Sequence, residues 1–196
     1  MKNPLSTLSK QELWRLFPII LSLHQIIWKD AYREEESGLI QIIGSENIAR
    51  INHYGSTAVP DLIAKPTIDI LLEIAETCDT DKLMETLIEY GYLCAHQPDD
   101  PSPHMMFMKG YSSQGFEGQA FHLHVRYNGD WDELYFRDYL IAHTPVAREY
   151  GELKLSLLET YRYDRDGYTN AKTEFIKKYT DKAQKEFPNR YNPLEK

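Results

Sequence analysis

Residues 55–74 read GSTAVPDLIAKPTIDILLEI, and the fold of the chain turns on them. A Gly-Ser pair opens a loop of small residues, which passes Pro60 and Lys65-Pro66 into a strand carrying Asp69. The strand is read from alternation: Ile68, Ile70, Leu72 and Ile74 share one face, and Thr67, Asp69, Leu71 and Glu73 the other. The first face requires a core beneath it, while the second holds carboxylates close to a loop rich in backbone N–H groups. That combination suits a phosphate-bearing ligand with a metal ion. The amides of Gly55, Ser56 and Thr57 can cradle phosphate oxygens while Asp69 holds Mg²⁺. Glu73 lies ~13 Å further along the same face at ~3.3 Å per residue, too far for it and Asp69 to grip one ion.

Upstream, residues 48–54 form the strand that feeds the loop, and a helix runs from residue 28 to about residue 43, closed by Gly44. Trp28, Tyr32, Glu35 and Leu39 stand at helical spacing, and the Glu34-Glu35-Glu36 run reads as a solvated face. Residues 19–27, apolar and β-branched, read as an edge strand. Ser9 to Glu12 is a capping box for a short helix that Pro18 ends.

Downstream come a helix over 80–90 ended by Gly91, a strand over 92–96, and a Pro/Asp loop over 97–103. Strands over 105–109 and 119–127 follow, joined by a Gly/Ser-rich connection. Asp130 to Glu133 is a capping signal for a helix to His143, and Thr144-Pro145 starts a second helix to about residue 163. A third runs from Gly167 to about residue 186, and the last ten residues read as a tail. The order predicts a mixed or antiparallel sheet followed by a helical C-terminal third.

The length suits one domain over 1–196: a sheet-bearing part at about 19–128, a helical part at about 129–187 and a tail at 188–196. The net charge of −8 argues against a general nucleic-acid binder but not against a small anion. Cys78 and Cys94 have neither disulfide-framework nor metal spacing and read as reduced thiols. There is no signal-peptide pattern. The most apolar run, 17–28, is interrupted by His24 and Gln25 and is too short to span a bilayer. These features predict a cytoplasmic protein without a membrane partner.

In the strand over 120–127, His122, His124 and Arg126 share one face, opposite Phe121, Leu123, Val125 and Tyr127. Alternating imidazoles can serve a metal, a phosphate or a proton transfer, or simply form a polar, half-exposed sheet face. On the C-terminal helices Arg137, Lys154 and Lys172 each fall on or beside an apolar stripe. A buried cation is costly unless paired. Each should therefore meet an acid, a carbonyl or a ligand, by snorkelling, by an internal pair with Asp138 or Asp69, or by forming an anion-binding wall. Lys65, held extended by Pro66, either reaches the ligand or stabilises the loop. His53 reads as a strand-end histidine with a local hydrogen bond.

The run His53, Gly55 to Pro60, Leu62, Ala64 to Pro66 and Ile68 to Ile70 resembles the GrpB-like family of the nucleotidyltransferase superfamily. Its members read close to H-x-G-S-T-A-V-P-G-L-x-A-K-P-x-I-D-I. The resemblance continues through HLHV (residues 122–125), FRDYL and the following Ala-His (136–143), and the helices around Tyr150–Lys154 and Tyr168–Lys172. It implies a nucleotidyltransferase-like α/β (α+β) fold with a mixed sheet, flanking helices and a helical C-terminal subdomain. It also implies a Gly-Ser loop that binds a nucleoside triphosphate and acids on neighbouring strands that bind Mg²⁺. Two positions depart from the pattern: Leu71 stands where the superfamily has a second acid, and Asp61 replaces the second loop glycine.

The resulting expectation is nucleotidyl transfer to a small acceptor, or silent nucleotide binding, or phosphate-dependent chemistry at the histidines. Gly55, Ser56 and Thr57 hold phosphate, and Asp69 holds metal. His122 or His124 completes the metal shell, which favours Mn²⁺ or Zn²⁺, or acts as base. Lys65, Arg126, Arg137, Lys154 and Lys172 offset phosphate charge. Binding through a histidine is expected to weaken below about pH 6.

Overall fold

A computed structural model describes residues 5–95 and 103–195. In chain order the elements are α1 (Lys10–Leu16), α2 (Ile27–Ile43), β1 (Ile48–His53), β2 (Thr67–Ile74), α3 (Thr80–Glu89), β3 (Leu93–Ala95), β4 (Met105–Ser112), β5 (Gly115–Tyr127), α4 (Asp132–Ala142), α5 (Thr144–Tyr161), α6 (Arg165–Asn170) and α7 (Thr173–Glu186). The strands form one mixed sheet in the order β1-β2-β5-β4-β3. β2 and β5 run parallel, and every other neighbouring pair is antiparallel. This is the mixed α/β architecture with a helical C-terminal third that the sequence predicts.

The interior position of β2 explains its composition. Ile68, Ile70, Leu72 and Ile74 pack with Leu39 and Ile43 of α2, Leu83 and Leu87 of α3, and Leu123 and Val125 of β5. The opposite face is covered too, because Leu71 lies among Leu134, Tyr135, Tyr139 and Tyr179 of the C-terminal helices. Glu73 on that face is 0% exposed. Arg50 on β1 holds both its oxygens, through Nε and through Nη2 at 2.7 Å, and the Gly129 N–H donates to Oε1 at 3.0 Å. A buried ion pair is tolerated when its hydrogen-bonding capacity is filled in this way.

Several expectations are corrected. Residues 19–27 are not an edge strand; Ser22 makes a single bridge with Ala64, and α2 already begins at Ile27. β-Branched composition signals fit to a pleated surface, and no sheet edge is paired there. The glutamate run is not uniformly solvated. Glu35 shares the buried face of Trp28 and Leu39, and it accepts from Lys109 Nζ at 2.9 Å and Tyr92 Oη at 2.9 Å.

The Gly/Ser-rich connection is strand: β4 and β5 continue to a tight turn where Ser112 pairs with Gly115. Gly110, at φ 82°, marks a register shift where a Cβ would stand 2.4 Å from the Gln119 carbonyl oxygen. Asp130 does not cap α4 but accepts from Tyr135 Oη at 2.7 Å, and α4 has no side-chain cap. The third C-terminal helix is two, α6 and α7, with Asp164 capping the first through the Gly167 N–H. The tail is not free of the fold, since Tyr191 is buried against Tyr135 and beneath the Arg50 guanidinium. Most of the loop expected over 97–103 lies outside the described residues.

Arg50→Met leaves the Glu73 carboxylate buried without its partner, so it is expected to cost about 3–5 kcal/mol in urea denaturation. Arg50→Met with Glu73→Leu should recover most of that loss. Equal stability of wild type and Arg50→Met refutes the assignment.

Candidate active site

The parallel pairing of β2 with β5 sets Asp69 beside His122 and Leu71 beside His124. His122 Nδ1 lies 3.2 Å from Asp69 Oδ1, and its Nε2 lies 2.7 Å from Tyr111 Oη on β4. Asp69, His122 and His124 each bring one ligand atom to within 4.8 Å of the others. With the Tyr111 hydroxyl donating to Nε2, the imidazole proton sits on Nδ1 and is donated to Asp69; in the other tautomer Nε2 donates to the Tyr111 oxygen and Nδ1 is left bare. His124 packs edge-on against Tyr54 and has no hydrogen-bond partner for its ring among the described residues, which leaves its nitrogens available.

Gly55 is required by proximity and not by backbone conformation. Its φ is −70°, but a Cβ there would stand 1.9 Å from Asp69 Oδ2. The loop turns as a short 3₁₀ segment over Ser56–Ala58, closed by Ala58 N–H to Gly55 O at 2.9 Å. Thr57 is buried within it. Its hydroxyl donates to Thr67 O at 3.0 Å and meets His53 Nε2 at 2.8 Å, so this side chain ties the loop to β2.

Burial pushes the Asp69 carboxyl up, but the His122 hydrogen bond and the nearby charges of His122, Lys65 and His124 outweigh it and hold the pKa below its ordinary value. Burial lowers His122 in spite of Asp69, and it takes His124 down to about 4. His124 is therefore neutral well below pH 6, and for that ring the acid limit expected from an unperturbed imidazole moves to lower pH.

A cleft of ≈ 610 Å³ opens between this end of the sheet and α4, α5, α6 and α7. Gly55, Ser56, Lys65, Asp69, Lys154 and Lys172 line it. Lys154 is 3% exposed; its ammonium donates to Ile63 O and, at 3.2 Å, to Ser56 Oγ, and stands 4.6 Å from the Tyr150 ring. Lys172 is 9% exposed, 4.4 Å from the Tyr168 ring. None of Lys65, Lys154 and Lys172 has an acid within ion-pair distance among the described residues. Burial is the first cause that lowers all three, Lys65 and Lys154 to about 7 and Lys172 to about 8. Repulsion from Arg165 and Lys172 adds to it for Lys65, and repulsion from Lys172 and Lys65 for Lys154.

Other candidates are committed elsewhere. Arg126 pairs with Glu133 at 3.2 Å, stacks on Trp131 and does not line the cleft. Arg137 borders the cleft, but its guanidinium serves Asp138, the His53 carbonyl, Asn52 and Tyr191. It is the internal ion pair that the sequence left open. Asp61 is exposed, away from the cleft, and holds the left-handed backbone (φ 60°) that suits the glycine of the family pattern. Sequence reasoning missed Tyr111, which orients His122, and Glu133, which lines the cleft beside Asp132 and Asp181.

The profile of the family described as "GrpB protein" matches residues 18–182. The chain belongs to the GrpB family. It is 37% identical over 163 residues to the "Glutamate-rich protein GrpB" of Alkalihalophilus pseudofirmus, covering 81% of this chain and 91% of that one. It is 29% identical over 179 residues to the UPF0157 protein YqkA of Bacillus subtilis, of which it spans 50%, while 88% of this chain is covered. The structure titled "Crystal structure of conserved protein GrpB from Enterococcus faecalis" superposes with a TM-score of 0.74 at 31% identity. That likeness covers 86% of this chain and 99% of the other. No helix among the described residues is long and apolar enough to cross a membrane.

Two outcomes follow from the site. Unfolded lysines bind protons that Lys65 and Lys154 have lost in the fold. Stability is therefore expected to rise from about pH 7 to about pH 8.5 in the ligand-free protein, and to rise less in Lys154→Met. A flat or falling wild-type melting temperature over that range contradicts the lowered pKa values. Leu71→Asp, which restores the superfamily's second acid, places a carboxylate in the apolar layer around Tyr135 and Tyr179. It is expected to destabilise by about 3–5 kcal/mol; chemical denaturation with an unchanged midpoint refutes this.

Proposed function

We propose that the cleft binds a nucleoside triphosphate with a divalent ion and transfers a nucleotidyl group to a small acceptor. The observation that carries this reading is the wall of Lys65, Lys154 and Lys172, which faces Asp69 without acids of its own. Buried ammonium groups without counter-ions are costly, and a polyphosphate would neutralise them. The amides of Gly55 and Ser56, which line the cleft, would orient phosphate oxygens, and Tyr150 and Tyr168 give it apolar walls beyond the charges.

The donor set of one carboxylate and two imidazoles fits a divalent ion, and fits Mn²⁺ or Zn²⁺ better than Mg²⁺. Asp69 and His124 would hold it. His122 would join only in the tautomer with its proton on Nε2; otherwise it orients Asp69. Such an ion supplies charge neutralisation at the reacting phosphate. His124, at about 4, suits metal ligation better than proton abstraction at neutral pH.

Leu71 favours a second reading, nucleotide binding without transfer. Its buried place in the apolar layer leaves Asp69 as the only acid of the superfamily pattern on β2 that faces the cleft.

Thermal unfolding with nucleoside triphosphates decides the first point. A triphosphate with Mn²⁺ at a hundredfold excess over its dissociation constant should stabilise by ~2.7 kcal/mol. Lys154→Met should lose most of that shift, and Asp69→Asn only its metal-dependent part. No shift with any nucleotide and metal removes both readings. Nucleotide binding without pyrophosphate release, across a broad acceptor panel, leaves the binding reading and removes transfer.

A further inference from the structure

A second cavity, ≈ 210 Å³, shares part of its wall with the cleft. Lys65 and Thr67 line both spaces. The rest of the smaller wall is largely apolar, with Ile19, Ile20, Phe116 and Ala120, and its second cation is Arg165. No acid lines it. The two acids beside Arg165 in sequence are used elsewhere: Asp164 accepts from the Gly167 N–H at 2.8 Å, and Asp166 pairs with Lys10 at 2.7 Å. Among the described residues Arg165 has no ion-pair partner, and its polar contact is the Tyr111 hydroxyl.

The wall is preformed. The Ile19 N–H donates to Arg162 O at 2.9 Å, and Ser22 and Ala64 exchange backbone hydrogen bonds at 2.9 and 3.0 Å. Gln119 Nε2 is fixed on the Pro66 and Ala120 carbonyls. At Gly118 the space beside the backbone is open. Two like charges thus face one small space, with apolar walls and no counter-ion.

We propose that this cavity is a binding site for a small organic monocarboxylate with a short apolar body. A monocarboxylate with an apolar body fits better than inorganic phosphate because the walls beside Arg165 are apolar, while its planar fork pairs the two carboxylate oxygens side by side. At ≈ 210 Å³ the cavity suits so small a ligand, being below the roughly 300–1,000 Å³ of drug-sized sites. Ile20 and Phe116, both partly exposed, stand to cover the apolar body. The site goes beyond the nucleotide reading and stands without it, because its own cation and walls define it. The shared Lys65 makes the two spaces neighbours on one ammonium.

The test is calorimetric titration of the full chain, free of nucleotide, with propionate, butyrate and hexanoate, and with the alcohols of equal length. Inorganic phosphate is a further arm. A carboxylate should bind at least about tenfold more tightly than its alcohol, ~1.4 kcal/mol. Arg165→Gln should remove that difference, and Ile20→Glu, at a half-exposed position that tolerates substitution, should weaken carboxylate binding by a similar factor. Lys154→Met, whose ammonium lines only the larger cleft, should weaken it far less than Arg165→Gln does. Equal binding of acid and alcohol overturns the proposal. So do indifference to Arg165→Gln in a folded variant, equal loss in Lys154→Met, and tighter Arg165-dependent binding of phosphate than of any carboxylate. Failure of nucleotides to bind, with these results intact, removes only the nucleotide reading.

Discussion

Two neighbouring strands that run the same way, β2 and β5, decide where the chemistry can be. Parallel pairing in this register puts Asp69 against His122 and Leu71 against His124, and the two-residue alternation turns all four toward the C-terminal helices. A one-residue slip of either strand would turn its own acid or its own imidazoles into the layer built by Leu39, Leu83 and Leu87, and part the two. The apolar residues of both strands forbid that slip. Register here is a packing decision with a chemical result.

Much of this was legible in residues 55–74. Alternation gave the strand and its faces, and the spacing of His122 and His124 placed both imidazoles on the face that meets Asp69. The position of the lysines on apolar stripes correctly signalled cations in a buried setting. What the spacing did not settle was which cations are free. Arg137 and Arg126 found acids close at hand, whereas Lys65, Lys154 and Lys172 have none within ion-pair distance among the described residues, and Lys154 meets only the Ile63 carbonyl and the Ser56 hydroxyl. That distinction depends on how α4 to α7 pack, which no local pattern encodes.

The misread positions share a physical cause. Glu35 was assigned to solvent because its neighbours are acids, yet helical geometry turns it toward Lys109 and Tyr92. Tyr111 is buried, and its hydroxyl meets His122 beside a register shift between Lys109 and Tyr111. A regular hairpin would not have predicted that contact. Tyr191 was assigned to a tail, but it lies between two arginines and Asp138. In each case a polar atom found its partner through a long-range contact.

The unpaired lysines also fix a proton account. With Lys65 and Lys154 brought to about 7, a sizeable fraction of these amines is neutral in the empty cleft near physiological pH. An anion entering the cleft favours the ammonium form, so occupation draws protons from the surrounding buffer. The heat of binding then carries the buffer's own ionisation enthalpy, and affinity for any polyanion declines as the solution becomes alkaline. The cleft behaves as a joint acceptor of anions and protons, and the wall's charge is completed by its ligand.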